Sequence, residues 1–524
     1  MSGLFSRRGA LKASLLSVAS AAGSHGLTSP SSLVFDHVNV VQPSGEVLPD
    51  RAVVVEGERI SSVAPATHAV SIKASKLVNA RGKYLMPGLW DMHVHLSYTK
   101  DSALPILLAN GVTGVRDCGG LLHEIDAWQT EVRLDVLRGP QIVRAGPQLN
   151  GKVFAFTQIA VLNDPEARGA VKALKIAGVD FIKVVAAISR EAYFGVASEC
   201  KTLNFPFAGH IPRALSPAEC SDAGQATFEH IDTLFDGKIP ASATPAERLA
   251  FIKRFRREDA PGLFAKFARN HTYYTPTLVA SAYPYVTRLA ALRRGEISPL
   301  AKYVSAYSKH LTENLLKKYA PDMTPDKIQA ERQPFEEYLG LVGDMCRAGV
   351  PLLAGTDLAT SVFYPGFSLH DELKLLVKSG LSPAAAIAAA TSNPATLFGR
   401  ADVGTIAPGK IANLVLLDQN PIQDVANVAR INSVVYEGRL FDRSAVDVLL
   451  KTGAEMRQRA NGARGCPAIL NWHHRPWLAG TGACRALALI AWPFWLRPRP
   501  SLAQPKGLEQ LLRRFQMQAV VNSV

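Results

Sequence analysis

The chain has 524 residues, 48% of them apolar and 19% charged, with a formal net charge of +14. Such a length supports a large core and two or three domains, and no apolar run nears the roughly 20 residues a membrane span needs. The charge does not point to nucleic acid: residues 460–524 hold eight Lys/Arg against one acid, Glu509, and Arg7, Arg8 and Lys12 add three more, while no Gly-rich phosphate loop or basic-aromatic motif stands out.

The first residues read MSGLFSRRGALKASLLSVASAAGSHG. Paired arginines precede an apolar stretch, and Ala19-Ser20-Ala21 has the small-residue pattern of a cleavage site. The segment 1–21 therefore looks like a twin-arginine export signal, with Ala10 where a Phe is usual, and predicts a periplasmic or secreted protein. Six cysteines (Cys118, Cys200, Cys220, Cys346, Cys466, Cys484) form no C-x-x-C pair and no disulfide framework.

Residues 33–86 read as short alternating strands, with a turn at Glu56-Gly57. A matching pattern returns over 401–445, with a turn at Glu437-Gly438. The two pieces predict one small β-sandwich-like domain built from N- and C-terminal segments. Between them, over 87–400, eight apolar runs alternate with helix-period segments: YLMPGLWDMHVH, GVTGVRD, PQIVRAG, DFIKVVAAI, FPFAGH, ATFEH, YYTPTLVA and VPLLAGTD. Eight strand–helix units over about 310 residues predict an α/β fold of the (β/α)8 TIM-barrel type, against the usual roughly 250 residues. The excess includes a charged, helix-rich insertion over 281–347, read as a lid at the barrel mouth or an excursion on its outer ring.

Polar residues interrupt these runs at informative places. His93 and His95 are two apart on a strand, so both face the same way. His210, His230 and Asp357 close three other runs, and strand C-termini of such a barrel converge on one mouth. Four imidazoles and a carboxylate match the preferences of zinc and similar divalent ions. Lys183 sits amid strand-core residues, where desolvation favours a neutral amine. Such an amine can react with carbon dioxide to give a carbamate, an anionic two-oxygen ligand.

Together LMPGLWDMHVH, NGVTGVRDCGG, DFIKV, AGHIP, FEHID, LLAGTD, SLHDEL and IAPGKIANLVLLD resemble the amidohydrolase superfamily over about residues 33–450. The likeness is to its imidazolonepropionase-like and Xaa-Pro dipeptidase-like branch. It implies a barrel flanked by a β domain from both termini. It further implies that His93, His95 and Asp357 hold one metal ion, that His210 and His230 hold another, and that carboxylated Lys183 bridges them. Asn413 stands where the family usually has Asp.

The resemblance implies a metal-dependent hydrolase of an amide or peptide-like C–N bond, dipeptidase-like or carboxypeptidase-like, with two divalent ions (zinc the expected metal) and Asp357 as proton carrier. The same site would suit a lactone or ester. A metal-free barrel reused as a binding or scaffold protein is the reading from another class. Arg116, Arg144, Tyr273 and Tyr274 adjoin strand ends and are the candidate substrate contacts, a guanidinium there suiting a carboxylate; each Arg could equally pair with a local acid such as Asp117. His123, His271 and His370 fall at no ligand slot, and Cys118 reads as packing. A small-molecule substrate is expected, with a homo-oligomer allowed. The basic tail 460–524, with four of the six tryptophans, suits an interfacial membrane contact or no function at all.

Overall fold

The structure is a computed structural model describing residues 32–67, 75–240, 242–319 and 324–462. The export-signal segment lies outside these residues, and so does the basic tail beyond the end of helix Arg443–Gly462. Among the described residues, no helix is long and apolar enough to cross a membrane.

Strand Ser32–Val41 pairs antiparallel with Val47–Glu56, which turns back into Arg59–Pro65. Strands Leu414–Leu417, Ile431–Tyr436 and Arg439–Phe441 come from the other end of the chain. Strand Tyr84–Pro87 joins the two groups, pairing parallel with Ser32–Val41 and antiparallel with Leu414–Leu417. The result is one sheet of eight strands connected by hydrogen bonds, because this short strand offers a hydrogen-bonding edge to each half. Alternation puts Phe35, Val53, Ile60, Leu85, Leu414 and Val435 into one core. The two Glu-Gly turns meet: a Cβ on Gly438 would lie 1.8 Å from the carbonyl oxygen of Gly57, so only glycine fits.

The rest of the described chain alternates parallel strands and helices. Leu89–Val94, Val112–Asp117 and Gln141–Arg144 form one sheet. Gln148–Asn150, Ile182–Val184, Phe207–Gly209, Thr227–Glu229 and Tyr273–Thr275 form a second, with Gln158–Ala160 at its edge. The Asp180 N–H donates to Arg144 O at 2.8 Å across the gap between the sheets, and that of Val185 to Leu149 O at 3.0 Å within the second sheet. The eighth run, around residues 351–358, makes parallel bridges to both flanks, Tyr274 with Leu352 and Val94 with Leu358. Several helices begin where the sequence supplies a cap; Ser216 with Glu219 and Thr244 with Glu247 are full capping boxes.

The insertion is pinned at both ends. Ser305 Oγ and Ser308 Oγ donate to Tyr98 O at 3.1 and 2.9 Å, and Ser308 Oγ also reaches Ala359 O at 3.0 Å. These contacts tie the start of helix Ala306–Tyr319 to the loops after the first and eighth runs. Helix Arg332–Arg347 packs on Pro245–Glu258, with Asp344 Oδ2 accepting from Arg256 Nε at 2.6 Å. Tyr338 on that helix stacks on Phe235, ring centroids 5.8 Å apart. This is a braced excursion.

His370, on helix Phe367–Lys378, is buried and lies 3.0 Å from Asn110 O through Nε2. Burial pushes it down from 6.5 to about 4. An unfolded chain thus takes up this proton first as the pH falls, so the stabilisation is complete above pH 6.5 and is lost between 6.5 and about 4. A shift of that size is worth about 3 kcal/mol. His370→Gln, which keeps a donor but does not titrate, is expected to flatten the fall in unfolding free energy over that window in urea titrations; an unchanged slope would contradict this.

Candidate metal centre

Period-two alternation places Asp91, His93 and His95 on one face of the strand that opens the parallel array. Lys183 projects from Ile182–Val184 with no exposed surface. His210 and His230 follow the ends of Phe207–Gly209 and Thr227–Glu229. Asp357 follows the eighth run, its N–H bonded to His93 O at 2.8 Å. The structure brings all six residues together. Asp357 Oδ1 lies 3.2 Å from His95 Nε2 and 3.5 Å from His93 Nε2, and Lys183 Nζ lies 3.5 Å from His93 Nε2. The ring of His230 is 4.6 Å from that of His93 and 4.8 Å from that of His210, centroid to centroid. His93, His230 and Asp357 each offer a ligand atom within 4.8 Å of the others.

Three of the imidazoles have their outer nitrogen engaged by the protein. His93 Nδ1 meets Glu229 Oε2 at 2.8 Å, His95 Nδ1 meets Gly119 O at 3.0 Å, and His230 Nδ1 meets Thr277 Oγ1 at 2.8 Å. With Nδ1 as the donor in each pair, Nε2 is left with its lone pair, the arrangement typical of metal-ligating histidine. Electrostatics agree. Burial holds His93 and His210 well below the usual imidazole range, and the charges of Lys183 and His230 push the same way. For His95, burial is outweighed by the contact with Asp357, which raises it. Burial also opposes ionisation of Asp357, but His230, His95 and His93 hold it well below the usual carboxylate range. The lone pairs of His93 and His210, held neutral, beside an ionised Asp357 fit a divalent cation.

Backbone geometry at the site is unusual. His230, Thr277 and Asp357 have φ of 65°, 44° and 54°. Positive φ at non-glycine residues costs on the order of 1–3 kcal/mol each and gathers at functional sites. A cavity of about 390 Å³ is lined by His210, His230 and Asp357 together with Arg213, Asp232 and Asp236. That volume suits a small molecule.

The expected substrate contacts are placed elsewhere. Arg116 is buried and spends its guanidinium within the protein: Nε donates to Met92 O at 2.7 Å, Nη1 to Thr227 Oγ1 at 2.9 Å, and Nη2 to Glu229 Oε1 at 2.6 Å. Its acid is Glu229; Asp117, the partner considered from sequence, accepts from the N–H groups of Leu96 and Gly119. Arg144 donates to Asp126 Oδ1 at 2.5 Å and Gly178 O at 2.6 Å. The Tyr274 hydroxyl donates to His230 O at 3.0 Å, while Tyr273 packs against Trp90, Met92, Leu353 and Phe398. None of the four lines the cavity among the described residues. Cys118 is buried, and burial pushes its thiol up to about 12, which fits packing and not nucleophilic chemistry.

Sequence reading passed over Asp91, Glu229 and Thr277. Asp91 shares the face of His93 and its carboxylate accepts from Thr356 Oγ1 at 2.7 Å and Thr356 N at 3.1 Å, fastening the turn that carries Asp357. Its D-x-H-x-H spacing was a visible signal. So was T-x-E at 227–229, which turns Thr227 and Glu229 to one face. Thr277, two residues past its strand, carried none.

A model of the Amidohydrolase family matches residues 315–441. An adenine deaminase from Nitratidesulfovibrio vulgaris is 25% identical over 442 residues, covering 80% of this chain and 59% of its own. An imidazolonepropionase from Micrococcus luteus is 41% identical over 73 residues, 14% of this chain and 18% of its own. The chain thus spans little over half the length of the adenine deaminase. Among solved structures, a bottromycin amidohydrolase superposes with a TM-score of 0.65 at 21% identity, covering 82% of this chain and 91% of its own. A putative prolidase from Bifidobacterium longum gives 0.59 at 24% identity, covering 81% and 99%. The fold of alternating parallel strands and helices is similar to that of these hydrolase structures. The family match and these relatives together support the amidohydrolase superfamily.

Since Glu229 has no exposed surface, removing its guanidinium partner strands a buried charge. Arg116→Met is expected to cost about 3–5 kcal/mol in urea unfolding. A variant of wild-type stability with only a raised KM would restore the substrate-contact role.

Proposed function

We propose that the protein hydrolyses a C–N bond of a small amide or dipeptide-like molecule, using two divalent metal ions, zinc the first choice. The observation that carries this is the convergence of six donor residues, three of whose imidazoles have Nδ1 held by the protein. His93, His95 and Asp357 would hold one ion and His210 and His230 the other. The neutral amine of Lys183 would add carbon dioxide and release one proton, becoming a carbamate that would serve as an anionic ligand to the ions. We take the parallel strands as a closed (β/α)8 barrel, a reading supported by the bridges that Leu352 and Leu358 make to either flank.

When bound, two such cations acidify water and polarise the carbonyl to be attacked. The chain's own residues do the rest. Asp357 accepts a proton from the attacking water and returns it to the leaving nitrogen. Its turn is fixed by Asp91, so the carboxylate is already in place when substrate arrives. Glu229, backed by Arg116, and Thr277 keep two imidazoles oriented. The named sequence relatives, adenine deaminases and imidazolonepropionases, agree with C–N chemistry without selecting one substrate.

Purified protein is expected to carry about two metal ions per chain, to lose activity on chelation and to regain it with added Zn2+. Lys183→Ala should lower the metal content, and Asp357→Asn should keep the fold while reducing kcat by at least 10²-fold, the low end of general acid–base contributions. Wild-type turnover in Asp357→Asn, or full activity of the metal-free protein, would overturn the proposal.

We also propose twin-arginine export, on the strength of Arg7-Arg8 and the small residues after it. Replacing both arginines with lysine is expected to leave the protein in the cytoplasmic fraction; unchanged export would contradict this.

A further inference from the structure

Glu372 takes no part in the chemistry proposed above, yet it has no exposed surface and its carboxylate is fully committed. Oε1 accepts from Leu278 N at 2.9 Å and Oε2 from Val279 N at 2.8 Å. These two N–H groups open the short 3-10 turn Leu278–Ala280. The residue just before it, Thr277, is held at φ 44° and ψ 49°, a left-handed conformation unfavourable for a β-branched side chain. The Thr277 hydroxyl is the group that meets His230 Nδ1 at 2.8 Å.

The main chain of His230 is secured without this turn. Its N–H donates to Thr275 O at 2.9 Å, and its carbonyl accepts from Tyr274 and Thr233 at 3.0 and 2.9 Å. What Thr277 adds is the rotation of the imidazole ring. What Glu372 adds is the conformation that puts the Thr277 hydroxyl there. The two successive N–H groups take both oxygens of one carboxylate, a bidentate match that a glutamine amide cannot reproduce, because its NH2 would face a second donor.

We infer that Glu372 is a positioning residue for the His210–His230 ion, acting through the Leu278 and Val279 backbone on Thr277 and so on the His230 ring. This rests on the reading of His230 as a metal ligand. The relay works on one half of the ion pair. The His93–His95–Asp357 half is positioned separately, by Glu229 and Asp91.

The test uses the full-length protein with Glu372→Gln, Thr277→Val and the double variant. Each is loaded with Zn2+, and zinc per chain, Zn2+ affinity by competition with a chromophoric chelator, and thermal unfolding are measured. Weakening of one of two sites by about 10–100-fold is expected in each single variant, the usual effect of removing a group that orients a ligand. The other site should keep its affinity. Because both substitutions break one link, the double variant should be no weaker than Thr277→Val alone. Two wild-type-like sites in either single variant would overturn the inference, as would additive losses in the double variant. Loss of both ions in step with the unfolded fraction would also overturn it, making Glu372 structural only. A wild-type protein that binds no zinc would overturn the metal reading itself, and the inference with it.

Discussion

A row of buried contacts to the backs of the imidazoles organises this molecule. His93 leans on Glu229, and Glu229 is held by Arg116, which also ties Met92 and Thr227 to the same cluster. Burying a guanidinium and a carboxylate is expensive unless each is paired and hydrogen-bonded, and here both are. Arg116 comes from one sheet and Glu229 from the other, so the ion pair that fixes one ring also links the two halves of the strand array.

The inward side follows from that constraint. The imidazoles of His93 and His210, kept neutral by burial, form with a lysine and an ionised Asp357 a donor set that fits a cation. The positive φ at His230, Thr277 and Asp357 adds conformational cost at the same place. The surroundings offset it. Asp91 fastens the Asp357 turn, Glu372 the Thr277 turn, and Ser305 with Ser308 clamps the insertion across the first and eighth loops. The small sheet takes strands from both sides of the parallel array in sequence, and its strand Tyr84–Pro87 leads straight into Leu89–Val94, which carries His93 and ends just before His95.

Much of this was legible in sequence because it follows from local period. Strand alternation alone sets His93 and His95 on one face, and the eight apolar runs locate the strands that bear Lys183, His210, His230 and Asp357. What could not be read was partnership between distant residues. Arg116 beside a strand end suits a substrate carboxylate equally well until Glu229, over a hundred positions away, is seen to occupy it. Thr277 and Glu372 lie in a turn and a helix whose meeting no periodicity describes. The joining of the two halves of the small domain was hidden for the same reason, since one four-residue strand pairs on both edges. Asp91 and Glu229 are different: their spacing from the histidines shows their facing, but not their distant partners Thr356 and Arg116.

The central claim is that these six side chains hold a pair of divalent ions. Crystals of the zinc-loaded protein, measured on both sides of the zinc absorption edge, test it most directly. The account predicts two anomalous peaks per chain, one among His93, His95 and Asp357 and one between His210 and His230, with added density on Lys183 Nζ reaching both. A single peak remote from these residues, or none at all in zinc-saturated crystals, would contradict it.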